Sequence, residues 1–127
     1  MGMYTELIFG CSLKPDTPEL VIDSLMHMLG HKERPADFPL DKLSCRWMFD
    51  RASYSFGVCK PVHDMWFDSI GNNYVISVRC NIKNYDCEIE TFLEWIKPHI
   101  EYGSGNRNMY AIVTYEEQNE PTIYYLE

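Results

Sequence analysis

An α+β domain is what the order of elements in this chain predicts, from three observations. An apolar strand of period two opens the chain. Two later stretches carry the apolar stripe of a helix. The remaining apolar segments alternate as strands between and after those helices. Strands in runs point to an antiparallel or mixed sheet, because parallel neighbours need a long crossover between them.

Tyr4 to Leu13 reads as the first strand. Thr5, Leu7, Phe9 and Cys11 fall on one face, and Tyr4, Glu6, Ile8 and Gly10 on the other. Ile8 on the second face marks a strand covered on both sides for part of its length, hence one in the middle of a sheet. Lys14-Pro15-Asp16-Thr17-Pro18-Glu19 stops the strand and starts a helix over 18–29. With Thr17 as N-cap, Pro18 takes the first helical position, where its missing N–H costs nothing. With Asp16 as N-cap, Glu19 completes a capping box. Val21, Ile22, Leu25, Met28 and Leu29 form the buried stripe, and Gly30 sits where a helix-ending glycine belongs.

His31 to Lys42 is a connection whose Phe38-Pro39-Leu40 tucks over the core. Arg46 to Phe49, Tyr54 to Cys59 and Met65 to Ile70 read as further strands, with Pro61 marking a bulge or an edge. Gly71-Asn72-Asn73 is a turn, so 65–70 and the strong strand Tyr74 to Ile82 form a hairpin. A second helix over 86–97 buries Ile89, Phe92, Leu93 and Ile96 and turns Glu90 and Glu94 outward, and Pro98 ends it or kinks it before a further turn over His99-Ile100-Glu101. Met109 to Tyr115 and Thr122 to Leu126 make a terminal hairpin. At 127 residues the chain is one domain over 1–127, with Met1-Gly2 reading as an expression remnant before Met3. Both helices on one face of the sheet, as a ferredoxin-like split βαβ with extra strands, is the arrangement that fits. That architecture hosts many unrelated functions and selects none.

Charge narrows the field. The net charge is −8, and residues 85–127, with nine acids against two bases, carry −7 of it. A basic footprint for nucleic acid is missing, so no direct nucleic-acid binding is expected. No apolar run is long enough to cross a bilayer, so no membrane is expected either. Five cysteines without a Cys-x-x-Cys pair, no secretory leader and no Asn-x-Ser/Thr acceptor fit reduced thiols in the cytoplasm.

No motif carries chemistry by itself, and no metal or cofactor is expected. His27 and His31 are four apart, but Gly30 ends the helix between them and a third ligand is not evident. Cys59-Lys60 with His63 is the nearest approach to a nucleophile, and reads as a structural thiol. Gly103-Ser104-Gly105 leads into a strand, whereas phosphate-cradling loops lead into a helix. The acidic set is better supported. Glu116, Glu117 and Glu120 crowd one turn, Glu90 and Glu94 line the second helix, and Tyr115 and Tyr124 bring aromatic surface beside them.

Three segments carry a resemblance: Tyr4-Thr5-Glu6-Leu7-Ile8-Phe9-Gly10, Asn81-Ile82-Lys83-Asn84-Tyr85-Asp86, and Met109 through Glu117. They resemble a group of small acidic bacteriophage and prophage proteins without an assigned activity. The resemblance implies an intracellular accessory protein and carries over no catalytic residue.

The functional expectation is therefore a binding protein rather than an enzyme. Glu116, Glu117, Glu120, Glu90, Glu94, Tyr115 and Tyr124 would meet a basic protein surface. The alternative is an enzyme or ligand-binding domain with a pocket between the sheet and loop 31–42, using Arg46, His63, Asp64 and Arg79. A terminal strand with exposed aromatics also suits self-association into an oligomeric scaffold.

Overall fold

Strand β1 (Thr5–Ser12) forms the middle of the sheet, as the double-sided pattern around Ile8 predicts. The computed structural model describes residues 4–40, 48–49, 62–84, 86–101, 108–115 and 117–126. After β1 come α1 (Glu19–Met28), β2 (Val62–Asp68), β3 (Asn73–Ile82), α2 (Glu88–Ile96) with a 3-10 turn at Lys97–His99, β4 (Met109–Tyr115) and β5 (Thr122–Tyr125). The sheet order is β2-β3-β1-β4-β5, and every neighbouring pair is antiparallel. The first four strands have the ferredoxin-like connectivity and order, and β5 extends the sheet beyond β4. The expected α+β class is the observed one.

Register decides which side chains share a face. Leu7 lies opposite Cys80 and Val113, and Phe9 opposite Val78 and Ala111. All six are at most 2% exposed. This is the helix-bearing face. Phe92 of α2 meets Phe9 edge-on at 5.1 Å, and Phe49 meets Phe92 in the same manner at 5.1 Å. Ile22 and Met26 of α1 share a cleft with Tyr74, which stands on that face of β3. Each large apolar side chain removed from water here stabilises the fold by about 1.5–3 kcal/mol. On the opposite face Glu6 and Asn81 are direct cross-strand partners, 2% and 3% exposed.

The helix ends follow local chemistry, with two departures from expectation. Neither Thr17 nor Asp16 caps α1. Pro18 occupies the N-cap without a side-chain bond, because the Thr17 hydroxyl donates to the Lys14 carbonyl at 2.6 Å and closes the preceding turn. The other end is as expected. Gly30 has φ +84°, its N–H bonds the His27 carbonyl, and the His31 N–H bonds the Met26 carbonyl. This double closure satisfies the helix's last carbonyls and needs a left-handed residue at position 30. Phe38 and Leu40 are buried, as the lid reading expects, and Phe38 meets the His27 ring at 5.2 Å.

Helix α2 starts two residues later than its apolar pattern suggests. Cys87 is left-handed at φ 57°, so the helix can begin only at Glu88. Asn84 replaces an N-cap side chain from outside the helix: its Oδ1 accepts the Ile89 N–H at 2.8 Å. Glu88 is 2% exposed and accepts the Asp86 N–H. The stripe Ile89, Phe92, Leu93 and Ile96 is buried as expected.

Both predicted hairpins are present, β2–β3 and β4–β5, the latter with a register shift that inserts Tyr110 between Met109 and Ala111. Met48 and Phe49 lie in a 3-10 turn, which corrects the strand read there. The strand read over 54–59 lies outside the described residues. Among the described cysteines, Cys11, Cys80 and Cys87 are unbridged. Among the described residues no helix is long and apolar enough to cross a membrane.

Candidate partner-binding surface

Three of the residues expected to meet a partner, Glu90, Tyr115 and Tyr124, come together where the first turn of α2 faces the end of β4. Tyr115 closes β4, and its hydroxyl donates to Glu90 Oε2 across 25 positions of sequence. The other oxygen, Glu90 Oε1, accepts from Asn84 Nδ2 at 2.9 Å. Glu90 therefore turns inward and is half-buried, which corrects the outward placement expected from helical periodicity. Its neighbour one turn on, Glu94, is exposed as expected. The Tyr115 phenol is pushed well above its ordinary range, first by burial, then by its bond to Glu90 and a further bond to Tyr124. A carboxylate that accepts a hydrogen bond from a phenol favours the neutral phenol.

Tyr124 of β5 stands across from Ala111, on the helix-bearing face, and meets Tyr110 at 6.2 Å. Tyr110 is 6% exposed, and its phenol is raised by burial, then by the charge of Glu94 and by Tyr124. These contacts join the acids of α2 to the tyrosines of β4 and β5. The turn carrying Glu117 and Glu120 leaves β4 directly after Tyr115, and both acids are exposed. Exposed Glu94 and exposed Glu117 and Glu120 thus stand on the two elements, α2 and the turn after β4, that Tyr115 joins through its bond to Glu90. Asp86 adds an exposed acid before α2. Glu116 lies outside the described residues.

The parts that two residues play in this corner were not legible in the sequence. Tyr110 enters through the bulge, which turns it toward the helix side, and a single inserted residue leaves no periodic signal. Asn84 enters through a left-handed backbone at φ 47°, a conformation asparagine tolerates better than most residues.

The alternative pocket set is not brought together. His63 stands opposite Val78 on the helix-bearing face, whereas Asp64 and Arg79 point to the other side of the sheet. Arg46 lies outside the described residues. Two clefts bounded by described residues, one beside Tyr74 and one beside Gly10, take in none of His63, Asp64 or Arg79. His27 Nδ1 lies 3.1 Å from the Lys32 carbonyl and His31 is exposed, so the helix-end histidines make no paired site. Among the described residues no group of three or more His, Cys, Asp or Glu is placed to hold a metal ion. The Cys59 and Gly103 motifs lie outside the described residues.

Among the described residues β5 is an edge strand of four residues, with Ile123 41% exposed and Tyr125 half-buried. No protein-family model, no curated protein and no solved structure matches the chain.

Proposed function

We propose that this chain is a non-enzymatic binding protein that docks a basic protein surface through the corner formed by α2, β4 and β5. The observation that carries the reading is the bond from Tyr115 to Glu90, which joins α2, with exposed Glu94, to the end of β4, from which the turn with exposed Glu117 and Glu120 departs, while Tyr115 also holds Tyr124. Fixed aromatic side chains lose little freedom on binding, and a rim of one sign steers an oppositely charged partner and speeds encounter. The bias of residues 85–127 to −7 supports the same choice of partner. On the resemblance to phage accessory proteins, the basic surface belongs to a host nucleic-acid enzyme. The acidic corner then occupies a site shaped for phosphates and blocks it.

Capture from host lysate tests this reading. Wild-type protein is compared with the triple variant Glu116→Lys, Glu117→Lys, Glu120→Lys. One basic protein retained by the wild type and lost by the variant supports the reading. Identical captures contradict it. The β5 edge favours a second reading, self-association by strand pairing, for which light scattering would give twice the monomer mass or more.

A further inference from the structure

Between α1 and the start of β3, on the helix-bearing side of the sheet, described residues line a cleft of about 310 Å³. That volume lies in the range of small-molecule sites, roughly 300–1,000 Å³. The cleft lies far from the acidic corner, because Tyr115 is level with Ile82, at the opposite end of β3 from Tyr74. Glu19, Ile22, Asp23 and Met26 repeat at helical spacing along one flank of α1, and all four line the cleft. Tyr74 lines it from the sheet, and Phe67 braces that ring at 5.1 Å.

Lys32 also lines the cleft, and the end of α1 puts it there. Gly30 turns the chain out of the helix, and His27 Nδ1 lies 3.1 Å from the Lys32 carbonyl. Lys32 Nζ then reaches back to Asp23 Oδ1 at 2.7 Å. The ammonium is pushed above the ordinary lysine value, first by this bond and the Asp23 charge, with Glu19 and Tyr74 adding to it. The charged groups of the cleft therefore lie within one another's field. Thr17 lines it too, with its hydroxyl already donated to the Lys14 carbonyl.

We infer that this cleft binds a free α-amino acid with an apolar side chain. The lining carries two carboxylates and one ammonium beside apolar walls, and a zwitterion answers both signs. Its carboxylate takes the Lys32 ammonium. Its own ammonium, three donors without an acceptor, takes Asp23 and Glu19. The Lys32 and Asp23 side chains are 54% and 29% exposed, so their pair adds little to stability and opens at small cost to admit the zwitterion. An amine alone is repelled by Lys32, and a carboxylate alone by Asp23 and Glu19. The apolar side chain lies on Ile22, Met26 and Tyr74, where the thioether and the phenol ring both favour aromatic contact. The inference does not rest on the acidic corner.

A titration with L-phenylalanine, followed by the backbone amide signals in NMR, tests it. 2-Phenylethylamine and 3-phenylpropionate serve as the analogues that lack one charge. The expected result is saturable shifts at the α1 flank, Lys32 and Tyr74, with each analogue bound about tenfold or more weakly, as loss of a charged hydrogen bond does. Lys32→Met and Asp23→Asn should each weaken phenylalanine binding by a similar factor. They should also act selectively: Lys32→Met narrows the preference over the amine, and Asp23→Asn narrows the preference over the carboxylate. Circular dichroism checks that each variant folds, and both sites are exposed enough to accept the change. The paired variant Glu117→Gln, Glu120→Gln should bind phenylalanine as the wild type does. No saturable shifts, shifts confined to another surface, equal binding of either analogue, or undiminished binding by folded Lys32→Met or Asp23→Asn would overturn the inference.

Discussion

Tyr115 ties the acidic corner together, and its ionisation has a consequence for stability. A free phenol ionises near pH 10, at about the value expected in the unfolded chain. Burial and the Glu90 carboxylate hold the folded phenol above that. The stabilisation is therefore fully present below about pH 10 and is lost as pH rises through the folded value. Tyr115→Phe should cost about 1.5–3 kcal/mol at neutral pH through the lost bond to a charged acceptor. It should also flatten the alkaline fall in stability, read by denaturant unfolding at stepped pH. The thiols follow the same logic. Burial pushes Cys11 up to about 12, and burial, followed by the Glu6 charge, raises Cys80 further, while Cys87 is exposed. Since the thiolate is the reactive form, iodoacetamide at pH 8 should label Cys87 well before Cys11 or Cys80. Peptide mapping against time measures the order. Gly30 was legible as a helix stop because a C′ position selects glycine. Gly30→Ala should cost about 1 kcal/mol by forcing a Cβ into the left-handed region, with calorimetric melting as the readout.

At the scale of elements, α2 and its cap are the informative case. Its buried stripe was legible because Ile89, Phe92, Leu93 and Ile96 repeat at helical spacing. Its start was not, because Cys87 adopts a left-handed backbone that no local pattern announces. Glu90 was misplaced for a related reason: periodicity identifies the face away from the core, but a cross-element tyrosine drew this carboxylate inward. Asn84 holds both features, bonding the Ile89 N–H and the Glu90 carboxylate. Asn84→Gly keeps the positive φ available and removes only the side chain. It should destabilise the protein by about 1–2 kcal/mol, and it should lower the helical signal of a partly unfolded sample in circular dichroism.

Across the whole molecule, the central placement of β1 and both hairpins followed from alternation and turn residues, which are local signals. The ferredoxin-like arrangement was legible as the best fit to the order of elements, whereas strand order itself was not, because pairing between distant strands leaves no local pattern. The candidate corner was legible as composition, through the acids and tyrosines of the last third. Its geometry was not, because it depends on Tyr110 entering at a bulge and on a bond between residues 90 and 115.

The measurement that tests the central claim most directly is capture by two variants with the same change in net charge. One carries Glu116→Lys, Glu117→Lys and Glu120→Lys. The other carries Asp16→Lys, Glu33→Lys and Asp37→Lys, all exposed and outside the last third of the chain. A local docking corner predicts that the first variant loses the basic partner while the second retains it, with wild-type binding weakened by moderate salt. Equal loss in both variants, or full retention by the first, would contradict the account.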